Sequence, residues 1–301
     1  MERFRGAAAV FIGAASFGIL STFVKKAYAL EFTLAEVTGV QVLFGMLFLW
    51  ILFLLKSFSP APQKLYAKRT AKWKILLAGF STGIVSILYY KSVELVPASI
   101  AIILLMQFIW ISALIELLLF KQVPTKRQSI GIVFILAATL LATGVFESAL
   151  QEVDWLGVLY GLLAATAYAV FIIVNGRVGN DYPPVQKSAL MVTGAGILIF
   201  TVLQPFHLLT LNVDWAIYQF GLLLSIFGTV LPPLLYAYGM PKVGTSLGSI
   251  LSAVELPVAV AMSFFVLHEP VTALQWFGVL AILGIVVWIN LKPKIVGERL
   301  G

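Results

Sequence analysis

The sequence predicts an all-α membrane protein with ten transmembrane helices arranged as two inverted five-helix repeats. Three observations lead there. First, 61% of the 301 residues are hydrophobic and only 11% charged, whereas charged residues make up about a quarter of a soluble domain; mean hydropathy is +1.02. Second, one stretch of chain occurs twice. Residues 89–144 overlay residues 236–291 without a gap, 147 positions apart, pairing Tyr89 with Tyr236, Val96 with Val243, Ser99 with Ser246, Leu104 with Leu251, Thr125 with Thr272, Gln128 with Gln275 and Gly131 with Gly278. At the start of each half an offset of 151 pairs Gly6 with Gly157, Phe17 with Tyr168 and Lys26 with Arg177. Third, lysine and arginine fall almost entirely on one side of the predicted spans.

Crossing about 30 Å of hydrocarbon takes about 20 residues of helix. Apolar runs of that length lie at 6–24, 34–55, 75–93, 98–120 and 130–146 in the first half. In the second they lie at 156–174, 189–209, 216–239, 245–267 and 271–289. The repeats therefore divide at 1–147 and 148–301. Helices are required because these runs exceed barrel strands and lipid tolerates no open sheet edge. Pro232-Pro233 predicts an interruption of the eighth span. Gly79 and Gly83, Gly157 and Gly161, and Gly244 and Gly248 are spaced for close helix packing.

An odd number of spans per repeat forces the second half to enter the bilayer upside down. Seventeen Lys and Arg residues fall on one side, among them Arg3, Arg5, Lys64, Lys68, Arg69, Lys72, Lys74 and Arg177. Only Lys25, Lys26 and Lys91 fall on the other, which also carries Glu147, Glu152 and Asp154. The positive-inside rule then puts both termini in the cytoplasm, in a cell or inner membrane. Orientation accounts for the net charge of +7, so nucleic acid is excluded as a partner. Arg3 and Arg5 before an apolar run do not mark a signal peptide, because no small-residue cleavage site follows and the segment has a counterpart at Gly157. With no cysteine in the chain, disulfides, thiolate metal sites and cysteine nucleophiles are excluded. No metal or cofactor is expected.

Inverted repeats are the architecture of secondary transporters, which hold substrate between the halves near the midplane. The motifs sharpen this. The turn "YYKSVELVPASIAIIL", its twin "YAYGMPKVGTSLGSIL" and the closing run "LHEPVTALQWFGVLAILGIVVWIN", with Glu269, Pro270, Thr272, Gln275 and Gly278 in place, resemble bacterial EamA-type members of the drug/metabolite transporter superfamily. The resemblance covers essentially the full chain and specifies no substrate. It implies a central cavity lined by spans one, three, four, six, eight and nine. The chain departs from the family pattern at Lys121 and Gln122, which face His268 and Glu269 in the second copy. It departs again at Gln41, in a span where relatives often carry arginine, and at Phe17 and Tyr168, where they often carry tryptophan.

Glu255 is the leading candidate for both substrate binding and proton coupling. It sits at the middle of span nine, where an ionised carboxylate facing lipid costs several kcal/mol. Pro257 loosens the helix beside it, and helical spacing places Gly248, Ser252 and Ala259 on its face. Its repeat partner is Phe108, which breaks the symmetry at the charge. Glu116, nearer the cytoplasmic end, is expected to snorkel or pair with a basic residue there, against the alternative of a transport role, and Lys91 to pair locally with Glu94, against the alternative of a substrate gate. Gln107 and Trp110 lie near the midplane, Gln107 either bonding a neighbouring helix or contacting substrate. Phe17, Tyr168, Tyr89 and Tyr236 form two repeat-related aromatic pairs. A ring-lined cavity with one carboxylate suits an amine or zwitterion, against the alternative of ordinary packing or interfacial belting.

The reading is a secondary transporter exporting a small polar or amphipathic metabolite, amino-acid or amine-like, by alternating access, with proton exchange as the economical coupling and uniport as the alternative. Its partners are that substrate, protons and membrane lipid; oligomeric state is left open, and a monomer suffices. No P-loop is present to hydrolyse ATP. Within the superfamily a nucleotide-sugar carrier is the competing assignment, and outside it a lipid-acting enzyme or a scramblase. No basic cavity cluster, metal-ligand set or converging catalytic group supports these.

Overall fold

A computed structural model describes residues 2–57, 69–96, 98–143, 154–210, 214–268 and 270–290, and the regular structure among them is entirely helical. Glu147, Glu152, Lys64, Glu269 and the repeat boundary at 147/148 lie outside the described residues. The helices are α1 (Glu2–Ala29), α2 (Leu34–Ser57), α3 (Lys72–Leu95), α4 (Ala98–Met106), α5 (Phe108–Phe120), α6 (Lys126–Ala142), α7 (Trp155–Arg177), α8 (Pro184–Leu203), α9 (Trp215–Leu224), α10 (Leu231–Val243), α11 (Thr245–Ser252), α12 (Glu255–Leu267) and α13 (Ala273–Asn290). Three consecutive pairs, α4–α5, α9–α10 and α11–α12, each make one interrupted span. Nine spans among the described residues are long and apolar enough to cross a bilayer. The tenth, α6, has 17 residues and packs along α13, its counterpart in the other repeat.

Packing follows the repeat. The first helix of each half lies against the third span of the other, α1 on α10 and α7 on α3, so the halves interlock. The contacts repeat residue by residue. A Cβ on Gly6 would come 2.7 Å from Lys242 Cβ and 3.3 Å from Val243; one on Gly157 would come 2.9 Å from Leu95 Cβ and 2.6 Å from Val96, the repeat partners of those residues. Gly79 and Gly83 likewise seat α3 against the backbone of α8 at Met191 and Ala195. The pair Gly244–Gly248 is a correction to the sequence reading. Nothing approaches the Cβ position of Gly244; its φ of +81° makes the sharp turn between α10 and α11 that a side chain would strain.

The duplicated Thr-x-x-Gln signals are helix starts. Thr125 and Gln128 close a reciprocal capping box on α6, and Thr272 N–H donates to Gln275 Oε1 at 2.9 Å at the start of α13. Lys121 and His268, unlike in chemistry, have the same left-handed backbone at φ 54° and 55°, each ending its helix. Span seven is displaced from its expected range of 189–209. Pro183-Pro184 sets the helix start, left-handed Gln204 and Pro205 stop it, and a 3₁₀ turn at Phe206–Thr210 contributes apolar residues without continuing the span. The interruption expected at Pro232-Pro233 takes the form of a π turn, Ser225–Val230, immediately before α10.

The two breaks nearest the centre are repeat-related. Between α11 and α12, Ala253 and Val254 bond three residues back, to Ile250 and Leu251, and the Ala253 carbonyl, to which Pro257 can supply no N–H, accepts from Leu256 instead. Between α4 and α5, Gln107 N–H also bonds three residues back, to Leu104. The Ile103 carbonyl released by that shift accepts from the Gln107 side chain at 2.9 Å.

Candidate substrate cavity

A two-lobed cavity lies between the halves. Its inner chamber, of about 70 Å³, is lined by residues of α1, α2, α3, α4, α7, α8, the π turn and α12. An outer vestibule of about 300 Å³ shares Ser21, Tyr89, Tyr90, Ile102 and Ala259 with it. The vestibule is walled by Val24 and Lys25 at the end of α1, Val93 on α3, Thr143 after α6 and Leu267 on α12. It therefore sits at the membrane face opposite the start of α1. Spans two and seven join the expected six as lining elements.

Glu255 reaches the chamber from the first turn of α12, 8% exposed. Tyr168 Oη donates to its Oε2 at 3.0 Å. Behind Tyr168, Tyr236 is fully buried, its hydroxyl 2.8 Å from Ser252 Oγ and 3.4 Å from Tyr168 Oη. Ser252 gives its own proton to the Gly248 carbonyl, so the Tyr236 proton goes to Ser252 and the two phenol oxygens simply abut. Phe17 meets both tyrosine rings edge-on at 5.9 Å, and Phe108 packs on Tyr168 at 4.5 Å. The repeat partners Phe17 and Tyr168, and the charge-breaking partner Phe108, thus form one aromatic floor under the carboxylate. Among the described lining residues of the chamber, Glu255 is the one with a formal charge.

The structure brings four of the sequence candidates to the chamber wall: Glu255, Tyr168, Tyr89 and Phe17. Tyr236 and Ser252 form a layer behind it. Gln107 and Trp110 are elsewhere. Gln107 is used in the helix break, and Trp110, 41% exposed on the outer surface, donates its indole N–H to Gln107 Oε1 at 2.8 Å. The turn at Ala253–Val254 also divides the face read from helical spacing, so Ala259 stays with Glu255 while Gly248 packs on Met240. Among the lining polar residues that escaped the sequence reading as site members are Gln41, Tyr90 and Thr229. The available signal was Gln41, a lone amide in the middle of an apolar span.

The end of the bundle opposite the vestibule is closed by a polar cluster. Glu116, 3% exposed, accepts from Arg177 Nη2 at 3.0 Å and from the Thr245 hydroxyl. Arg177 also donates to Gln122 at 2.9 Å and lies 3.7 Å over the Phe120 ring. This cluster joins α5 of the first half to α7 and α11 of the second. Lys91 pairs with Glu94 at 2.9 Å near the end of α3, as expected.

Against known proteins, the model of the EamA-like transporter family matches residues 4–144 and again 155–291. The chain belongs to the EamA-like transporter family. Among its EamA-type relatives is a Synechocystis protein named "Uncharacterized transporter sll1319", 27% identical over 70% of this chain and 64% of that protein. The threonine/homoserine exporter RhtA of Salmonella typhimurium is 25% identical over 86% of this chain and 84% of its own length. The uncharacterized transporter YcbK of Bacillus subtilis is 21% identical over 92% and 90%. A crystal structure covering 99% of this chain superposes with a TM-score of 0.74 at 14% identity, a likeness of fold.

Proposed function

We propose that this EamA protein is a proton-coupled exporter that carries a small amine-bearing metabolite, amino-acid or amine-like, out of the cytoplasm, with both termini on the cytoplasmic side. The observation that carries the reading is Glu255, the charged group of the chamber. A carboxylate buried among aromatic rings, with no basic partner among the described residues, is stabilised by gaining a cation. Two candidates compete for it, a proton from outside or an ammonium group from inside. Exchange of one for the other is antiport. The rings of Phe17, Tyr168 and Tyr89 supply faces for the cation and for the body of the substrate.

Alternating access has two ends to work on. The described conformation has a vestibule at the outer end and the Glu116–Arg177–Thr245 cluster closed at the other. Loading from the cytoplasm requires that cluster to part, with the half-helices pivoting at the breaks beside Gln107 and Val254. The threonine/homoserine exporters among the relatives support an amino-acid class of substrate, at 25% identity.

The test is flux in proteoliposomes under an imposed pH gradient, alongside binding to purified protein, for wild type and Glu255→Gln. The variant keeps size and hydrogen bonding but cannot titrate. It should lose gradient-driven flux by about 100-fold or more while remaining folded. Gradient-driven flux at the wild-type rate in Glu255→Gln would overturn the proposal.

A further inference from the structure

The chamber has a second polar pole. Gln41 on α2, Tyr90 on α3 and Thr229 in the π turn line it and are 6%, 4% and 4% exposed. Tyr90 Oη lies 3.1 Å from Gln41 Oε1, and Gln41 Nε2 lies 3.1 Å from Thr229 Oγ1. The three groups own two amide N–H, one phenol and one threonine hydrogen, and joining them uses two of the four. Two donor hydrogens are left over, whichever way the amide is turned. Among the described residues neither of them is donated to an acceptor. Thr38, Thr139 and Thr193 return their hydroxyl protons to the carbonyl four residues back; Thr229, in the π turn, makes no such bond. Buried donors without acceptors are costly, and π turns recur at functional sites.

We infer that Gln41, Tyr90 and Thr229 form the carboxylate-binding pole of the substrate site, so that the substrate is an amino acid held as a zwitterion between this pole and Glu255. The inference rests on the reading of Glu255 as the ammonium site. A carboxylate is the acceptor that matches two convergent donors, and hydrogen bonds to an ionised acceptor are about twice as strong as neutral ones. No lysine or arginine stands among the described lining residues of the chamber, so the pole recognises the carboxylate through neutral donors. Discrimination then rests on donor geometry: a substrate lacking the carboxylate leaves the pole unsatisfied.

The experiment measures binding to the purified full chain by calorimetry for L-threonine, L-homoserine and L-phenylalanine. Each is compared with the amine formed by decarboxylating it and with its carboxamide. Wild type should bind at least one amino acid more tightly than both derivatives, by about 10- to 100-fold, the loss expected when a charged acceptor is removed. Gln41→Leu and Thr229→Val should collapse that ratio toward one, and Thr229→Ser should restore it. Gln41→Glu places a like charge at the pole and should invert the preference toward the amine, which keeps the test decisive if Gln41→Leu misfolds. The inference is overturned if no amino acid binds saturably, if amine or carboxamide binds as well as the acid, or if the ratio survives Gln41→Glu. Failure of the underlying reading looks different: Glu255→Gln would then leave the binding of the amines intact.

Discussion

The two interrupted spans at the centre of this protein, α4–α5 and α11–α12, share a break and differ in chemistry. Both shift to bonds three residues back at the same repeat position, and both end on a left-handed residue, Lys121 or His268. One uses the Gln107 side chain to open the helix; the other uses Pro257. After the break, the first copy presents Phe108 and the second Glu255. The difference separates the repeated scaffold from the candidate site. Duplication supplies a symmetric pair of pivots, and a single departure from symmetry puts one carboxylate on an aromatic floor that the other copy completes.

The largest expected effects test the symmetric part. Gly6→Leu and Gly157→Leu push a side chain into equivalent contacts between halves, where even a Cβ lies under 3 Å from a neighbour. Overpacking costs roughly 1–3 kcal/mol or more, so both variants should lose the monodisperse peak on size-exclusion chromatography. Tolerance of one twin alone would break the equivalence. Next comes the asymmetric part: Tyr168→Phe removes the hydrogen bond to Glu255 and keeps the ring, and should lower gradient-driven flux about tenfold. Phe108→Leu, which removes only floor, should lower it less; the reverse order would assign the chemistry to the wrong copy.

A smaller effect is expected at the Glu116–Arg177–Thr245 cluster. In a chain without cysteine, Ser112→Cys on α5 reports opening from that side. Adding Arg177→Gln should raise its labelling by a membrane-impermeant thiol reagent by about three- to tenfold, since a partly exposed ion pair contributes about 1 kcal/mol. Unchanged labelling would mean that the end is held shut by packing alone. The smallest effects are at the twin caps: Thr125→Ala and Thr272→Ala should each lower stability by about 1 kcal/mol in thermal unfolding, and unequal losses would show that the two helix starts are not energetic equivalents.

Much of this was legible in the chain because lipid imposes strong rules. Span length, repeat offset and charge asymmetry need no knowledge of neighbours, and they yield the ten-span plan and place Glu255 at mid-span. The lining of the candidate cavity was legible where a residue is unusual for its surroundings, as Glu255 is, or is doubled, as Phe17 and Tyr168 are. Gln107 met the same criterion and proved to be spent on its own helix, because a polar side chain beside a break has a local carbonyl to satisfy. Gln41, Tyr90 and Thr229 come from three different helices, and their convergence depends on how the halves interlock. Span seven was misplaced because hydropathy does not register Pro184 as a start or Gln204 as a stop.

The central claim is that proton and substrate compete for Glu255, and it is tested most directly by counting protons released when substrate binds to purified protein in weakly buffered solution. Near the pH at which Glu255 is half protonated, wild type should release a proton fraction that falls as pH rises, approaching about one proton per substrate at lower pH, and Glu255→Gln should release none. Saturable binding by wild type with no proton release at any pH would contradict the account.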